Sequence, residues 1–261
     1  MKKIITLIAT LILTVCACFS LTACGTQKVV EDGGTIVVGV TDYPPMDYLD
    51  NSGKWVGFDA ELAEKVFTEL GYKVEFKEID WDTKIVTLNA GTIDCIWNGM
   101  TVTDELLENV LLSNVYLQNR QVVVAKTANI DAITTKTNLA GKIVAVESGS
   151  AAESAVESLG CSEVRKDVNQ NTAVLEVFAG TADYAVVDYA IAKTLCGAGS
   201  DYYGQIVMKE IDFAVEEFAI AFRKADSKLC FNVNKLITKY YNDGTIATLA
   251  NTYEVANQLV G

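Results

Sequence analysis

The chain has 261 residues, half of them apolar, so it can bury one large or two modest cores and is not globally disordered. With 21 Lys and Arg against 34 Asp and Glu its charge is −13, the wrong sign for a nucleic-acid binder, which needs a basic footprint. There is no histidine, which excludes Ser-His-Asp chemistry, His-ligated zinc and His acid-base catalysis together.

The first residues read as an address. Lys2 and Lys3 precede an apolar run from Ile4 to Phe19, which ends in Leu21-Thr22-Ala23-Cys24-Gly25. A basic start, a short apolar stretch and small residues before a cut site predict a signal segment over residues 1–23, too short for a persistent membrane span. Its end resembles the bacterial lipobox, which would make Cys24 the lipidated first residue and residues 24–34 a tether at the membrane surface. Cleavage would remove Lys2 and Lys3 and take the charge from −13 to −15. Of the remaining cysteines, Cys95 sits in an apolar run and reads as a buried small residue. Nothing in the spacing pairs Cys95, Cys161, Cys196 and Cys230 with one another.

The body alternates strand and helix. Ile36–Val40 is apolar and strand-length, and it ends at Asp42-Tyr43-Pro44-Pro45, which holds the only two prolines. Leu62, Val66 and Leu70 recur at helical spacing, and Gly71 ends that helix. Tyr72, Val74 and Phe76 alternate as a strand. A helix over about 82–90 leads into Ile93-Asp94-Cys95-Ile96-Trp97, where Trp97 reads as core. Thr101 with Asp104 fits a capping box. Strand 142–146, helices 151–159 and 172–179, strand 184–187 and closing helices over 227–242 and 245–257 follow. Strands separated by helices predict parallel α/β sheets.

An internal repeat sharpens this expectation. Ala90-Gly91-Thr92-Ile93-Asp94 recurs as Ala179-Gly180-Thr181-Ala182-Asp183, each copy following a helix and opening an apolar strand. The two strands end in Asn98 and Asp188. Ligands of open α/β sheets lie beyond the carboxyl ends of the strands, so two similar lobes would set Asn98 and Asp188 on opposite walls of one cleft. Asp188 is the natural counter-charge for a ligand ammonium. Glu147-Ser148-Gly149-Ser150, between a strand and a helix, offers N–H groups and two hydroxyls for an anion, unless Ser150 merely caps the helix. Asp42, Tyr43 and Trp81 stand where cleft aromatics and strand-end acids belong.

These stretches together resemble the amino-acid-binding lipoproteins of bacterial ABC importers, solute-binding family 3, from about Thr35 to Tyr253. The resemblance is carried in order by Val38-Gly39 to Pro45, Gly57-Phe58-Asp59-Ala60-Glu61-Leu62, Gly91 to Thr103, Leu139 to Lys142, Ala219 to Lys224 and Asn242 to Ile246. It implies an α/β, two-lobed Venus flytrap of the periplasmic-binding-protein type, with hinge crossings near Leu117–Arg120 and Ile211–Glu217. Lobe one would comprise 35–117 plus 217–261, and lobe two 118–216. It further implies a monomeric, anchored binder without cofactor that delivers a small polar solute to a permease. By the same resemblance Tyr43 and Trp81 meet the ligand side chain, Gly99 and Thr101 its carboxylate, Ser148 and Ser150 complete that grip, and Asp188 pairs with the α-ammonium. One position departs: the family carries an arginine for the α-carboxylate where this chain has Leu106. Of the three arginines, 120, 165 and 223, only Arg120 lies near the presumed cleft as a substitute. The ligand could therefore be an amino acid held differently, or an amine lacking the carboxylate. A sensory partner of a receptor and an exported dehydratase-like enzyme using Asp42 or Asp188 are the alternatives.

Overall fold

The computed structural model describes residues 33–260. The expected signal segment, and Cys24 with it, lies outside the described residues. Strand β1 (Thr35–Val40) is followed by the hairpin β2 (Tyr48–Leu49) and β3 (Trp55–Val56), helix α1 (Phe58–Glu69) and β4 (Lys73–Glu78). A 3-10 turn at Trp81–Thr83 leads into α2 (Lys84–Asn89), β5 (Cys95–Ile96), α3 (Asp104–Asn109) and β6 (Leu111–Leu112). The long strand β7 (Leu117–Lys126) enters the second lobe: β8 (Ile143–Glu147), α4 (Ala151–Val156), β9 (Glu163–Asp167), α5 (Gln170–Ala179), β10 (Tyr184–Asp188), α6 (Tyr189–Cys196) and β11 (Ile206–Lys209). Strand β12 (Val215–Phe218) returns to the first lobe, which β13 (Ala221–Phe222), α7 (Ser227–Asn242) and α8 (Thr245–Thr252) complete.

Each lobe is built on one sheet. The first has the order β4-β1-β5-β13-β6 and the second β11-β7-β10-β8-β9. The sheets are mixed rather than wholly parallel. The βα units pair in parallel (β1 with β4 and β5, β8 with β9 and β10), whereas β13 and β7 run against their neighbours. The physical reason is the double crossing, which brings the chain back through each sheet in the opposite sense. At the crossing itself Leu117–Arg120 of β7 pairs with Val215–Phe218 of β12. Apolar strand residues such as Ile36, Val38, Val144, Val146, Val186 and Val187 are fully buried between sheet and helices.

The five-residue repeat marks one connection made twice. Asp94 accepts from the Val37 N–H through Oδ2 at 3.0 Å and donates its own N–H to the Val37 carbonyl at 2.7 Å. Asp183 does the same to Ile143, at 2.9 Å in both directions. In each lobe an aspartate at the start of a strand therefore clamps both backbone groups of the neighbouring parallel strand. Asp94 is additionally buried against Arg223, which pairs with it at 3.0 Å and with Asp226 at 2.8 Å.

Several boundaries differ from the sequence reading. Thr103, not Thr101, caps α3, accepting from the Leu106 N–H. The Thr101 hydroxyl instead donates to Glu216 of β12. The segment expected as one helix over 82–90 divides into the 3-10 turn and α2, because Asp80 caps the turn through the Asp82 N–H. Helix α5 starts two residues early, behind the Asn169 cap, while α4 and α8 stop short of the expected 159 and 257. Trp97 is fully buried edge-on to Phe67 and Tyr116. Among the described residues all four cysteines are free, with Cys95 buried. No helix among them is long and apolar enough to cross a membrane.

Candidate functional site

A cavity of about 310 Å³ lies between the lobes at the carboxyl ends of β5, β8 and β10. That is the low end of the range for small-molecule sites, roughly 300–1,000 Å³. The lobes meet around it. Lys84 Nζ donates across the cleft to the Gly149 carbonyl at 2.8 Å, and Asn171 Nδ2 donates to Asp42 Oδ2 at 2.7 Å. Gly149 has φ +70°, and a Cβ there would sit 2.7 Å from the Asp82 Cα, so glycine permits this close approach. Gly99 is required for the same reason on the other wall, where a Cβ would strike the Tyr43 ring at 2.5 Å.

Asp188 closes the inner end. It is 5 % exposed. Its Oδ1 accepts from Asn119 and, at 2.7 Å, from Gln121, both on β7; Oδ2 accepts from Gln170 of α5 at 2.6 Å. Strand alternation puts Asn119 and Gln121 on the inner face of β7 and Arg120 on the outer one. The same two amides also donate to Glu216, at 3.0 and 2.9 Å, tying the return strand to the site. Burial pushes the Asp188 carboxyl up, against the pull of its amide donors. Burial and then Asp188 raise the Tyr43 hydroxyl well above its ordinary value.

The opposite wall carries Trp81, Lys84 and Leu106. Lys84 Nζ lies 4.9 Å from the Trp81 ring centre and donates to the Trp81 carbonyl at 3.1 Å. Burial lowers its pKa, while Glu147 and other nearby acids oppose the shift. Leu106 is buried in an apolar cluster with Trp81, Leu88 and Met100. Lys84 is the only cation among the described residues lining the cavity, facing the carboxyls of Asp104, Glu105, Glu147 and Asp188.

Of the residues singled out in the sequence, Tyr43, Trp81, Asn98, Gly99, Thr101, Ser150 and Asp188 line the cavity. Asn98 nevertheless spends its side chain within lobe one, on Thr41 and Asp47. Ser150 accepts from the Glu153 N–H as the cap of α4. The Glu153 carboxylate also reaches back to the Gly149 N–H at 2.8 Å, filling part of the expected anion site. Three residues do not belong to the wall. Asp42 instead holds Asn171 across the cleft rim. Ser148 is not among the lining residues, and its N–H donates to the Asp167 carbonyl as β8 and β9 continue their pairing. Arg120 points outward and pairs with Glu210 at 2.6 Å, so it cannot replace the missing arginine. Sequence reasoning missed Lys84, Gln121, Glu147 and Gln170. Glu147 carried a usable signal, since Ile143–Glu147 and Tyr184–Asp188 are both apolar runs closed by an acid.

Two lobes joined by paired crossing strands, with a cavity and a buried acid between them, define a class of two-lobed solute receptor. The chain belongs to the bacterial extracellular solute-binding proteins, family 3, which it matches over residues 36–256. It is 30 % identical over 247 residues to the arginine-binding extracellular protein ArtP of Bacillus subtilis, covering 92 % of this chain and 94 % of that one. An ABC uptake transporter substrate-binding protein from Streptococcus pneumoniae with bound histidine superposes with a TM-score of 0.79, at 29 % identity, over 87 % of this chain and 95 % of that one. The ancestral amino acid-binding protein AncCDT-1, a precursor of cyclohexadienyl dehydratase, superposes at 0.77 with 32 % identity, over 84 % and 95 %.

Proposed function

We propose that the cleft binds a small α-amino acid, encloses it between the lobes and hands it unchanged to an ABC permease. The observation that carries this reading is Asp188 and Lys84 as fixed opposite charges on two walls of one closed cavity. Asp188 takes the α-ammonium, its carboxylate already oriented by three amide donors. Lys84 takes the α-carboxylate in place of the absent arginine. An ammonium has three protons, and the Trp81 and Gly149 carbonyls use two of them. Tyr43 and Trp81 cover the apolar part of the solute. The amino acids named for ArtP and for the pneumococcal protein agree with this ligand class. The protein acts as a monomer held outside the membrane by a lipid on Cys24, a reading supported by Leu21-Thr22-Ala23-Cys24.

Thermal unfolding of the unlipidated protein against the amino acids and their α-amides tests the ligand class. A specific ligand at 100 times its dissociation constant adds about 2.7 kcal/mol, a visible shift. Free amino acids should raise the melting temperature and be recovered unaltered. If no amino acid raises it, the reading is wrong. For the anchor, Cys24→Ser should move the protein from the membrane to the soluble fraction; unchanged partition would remove the lipid from the account.

A further inference from the structure

We propose that Glu147 receives a positive charge on the ligand's side chain, so that the solute is an amino acid with a second cation, an ammonium or guanidinium. This rests on the reading of the cleft as an amino-acid site and narrows it. Glu147 ends β8 in the cavity wall and is 3 % exposed, and its Oε1 has no hydrogen-bond partner. A buried carboxylate oxygen without a donor is costly, and native proteins seldom leave one except where something else supplies the donor. Gln170, the amide beside it, is held by Asp188 through one N–H and its carbonyl, which leaves a single uncharged N–H for the Glu147 carboxyl. Lys84, the only cation among the described residues lining the cavity, gives two of its three protons to the Trp81 and Gly149 carbonyls.

The rest of the wall fits an aliphatic stem ending in a cation. Asp104 and Glu105 add two carboxyls at the mouth, so four acids face one lysine. Trp81, Met100 and Leu106 provide apolar surface for methylenes. Leu106 acquires a reason in this arrangement: an arginine there would bring a second fixed cation into a cavity that must admit a cationic side chain. A solute with one ammonium would bring Glu147 no positive charge, and an acidic solute would add a further carboxyl to a cavity that already holds four.

The proposal has a protonic signature. Burial, and next the Asp188 charge, raise the Glu147 carboxyl to about 8, with Lys84 and Gln170 pulling the other way and Asp80 adding to the rise. Tyr43 also faces it, and Asp167 stands opposite it on β9. Glu147 is therefore mostly protonated at pH 7, and a cationic side chain must displace that proton.

Isothermal titration in buffers of different ionisation enthalpy, with L-arginine, L-lysine, L-citrulline and L-glutamine, reads this directly. The wild type should bind arginine or lysine more tightly than the neutral pair and release close to one proton at pH 7. Its affinity for the cation should rise about tenfold per pH step between 6 and 8. Glu147→Gln, nearly isosteric, should lower arginine affinity by roughly 10- to 100-fold, abolish the extra proton release and leave citrulline binding unchanged or tighter. Circular dichroism melting of the empty variant controls for folding. Citrulline or glutamine binding the wild type as tightly as arginine would overturn the proposal, as would equal losses for charged and neutral ligands in the variant. If none of the four binds while another amino acid does, the cation receptor falls and the amino-acid site stands. If no amino acid binds at all, both fall.

Discussion

Lys84 shows how much one side chain decides at this site. Its ammonium joins the lobes through Gly149 and at the same time faces the cavity. Replacing it by methionine removes both effects, and they separate by ligand. The inter-lobe bond is lost for every ligand alike, whereas the charge is lost only for one with an α-carboxylate. A charge-assisted hydrogen bond contributes about 1.5–3 kcal/mol. The preference for a free amino acid over its α-amide, measured by titration, should therefore collapse by roughly 10- to 100-fold in Lys84→Met. An unchanged preference would assign the carboxylate elsewhere. Sequence reading at this scale pointed to Asp188, Tyr43 and Trp81, which line the cavity, because strand ends and aromatics after strands have local signatures. Lys84 has none. In the sequence it is a lysine at the start of a short helix, which normally means a solvated face, whereas here it is buried against Trp81 and the Gly149 carbonyl of lobe two. Gln121 and Gln170 were invisible for the same reason, since uncharged amides gain their meaning from Asp188, 67 and 18 residues away.

Among the elements, the contact of helix α5 with the loop after β1 is the clearest device for closure. Asn171 in the first turn of α5 grips Asp42 at the cleft rim, and neither residue lines the cavity. Asn171→Ala should thus weaken the closed state without touching the ligand. Loss of one ordinary hydrogen bond from the closed state, about 0.5–1.5 kcal/mol, predicts ligand release some two- to tenfold faster by stopped flow, with association little changed. Equal slowing of association would instead mean that the mutation perturbs the open lobe. The elements themselves were largely legible. β1, α1, β4, α7 and the paired repeat follow from apolar periodicity and from the recurrence of Ala-Gly-Thr-x-Asp. What periodicity could not give was β7 and β12 as crossing strands. Residues 117–121 alternate between buried and exposed, as the crossing requires, but residues 122–125 are buried throughout. One strand therefore carries two patterns, because it belongs to the hinge at one end and to a sheet interior at the other.

The whole molecule carries an unusual concentration of buried acid, and its stability should follow pH accordingly. Burial raises the carboxyls of Asp47, Glu216 and Asp188, takes Asp59 to about 7 and Asp167 to about 6, and takes Glu147 to about 8. A carboxyl raised on folding binds its proton more tightly in the native chain than in the unfolded one. Its contribution is complete below the unfolded value of about 4 and is lost as pH rises through the folded value. The acids held low, among them Asp50, Glu69, Glu176 and Asp243, work in the opposite direction, but their contribution is already complete above about pH 4 and does not vary between 5 and 8. Self-repulsion in a chain of charge −13 adds to the loss at higher pH. The empty protein should therefore melt highest near pH 5 and lose at least about 2 kcal/mol by pH 8, which is roughly 4–8 °C for a chain of this size. A bound cation should recover more of that loss at pH 8 than at pH 5, because it neutralises carboxyls that protons no longer cover. A melting temperature that rises from pH 5 to 8 in the empty protein would mean that these acids are hydrated and ionised before ligand arrives, and that the cleft stands open in solution.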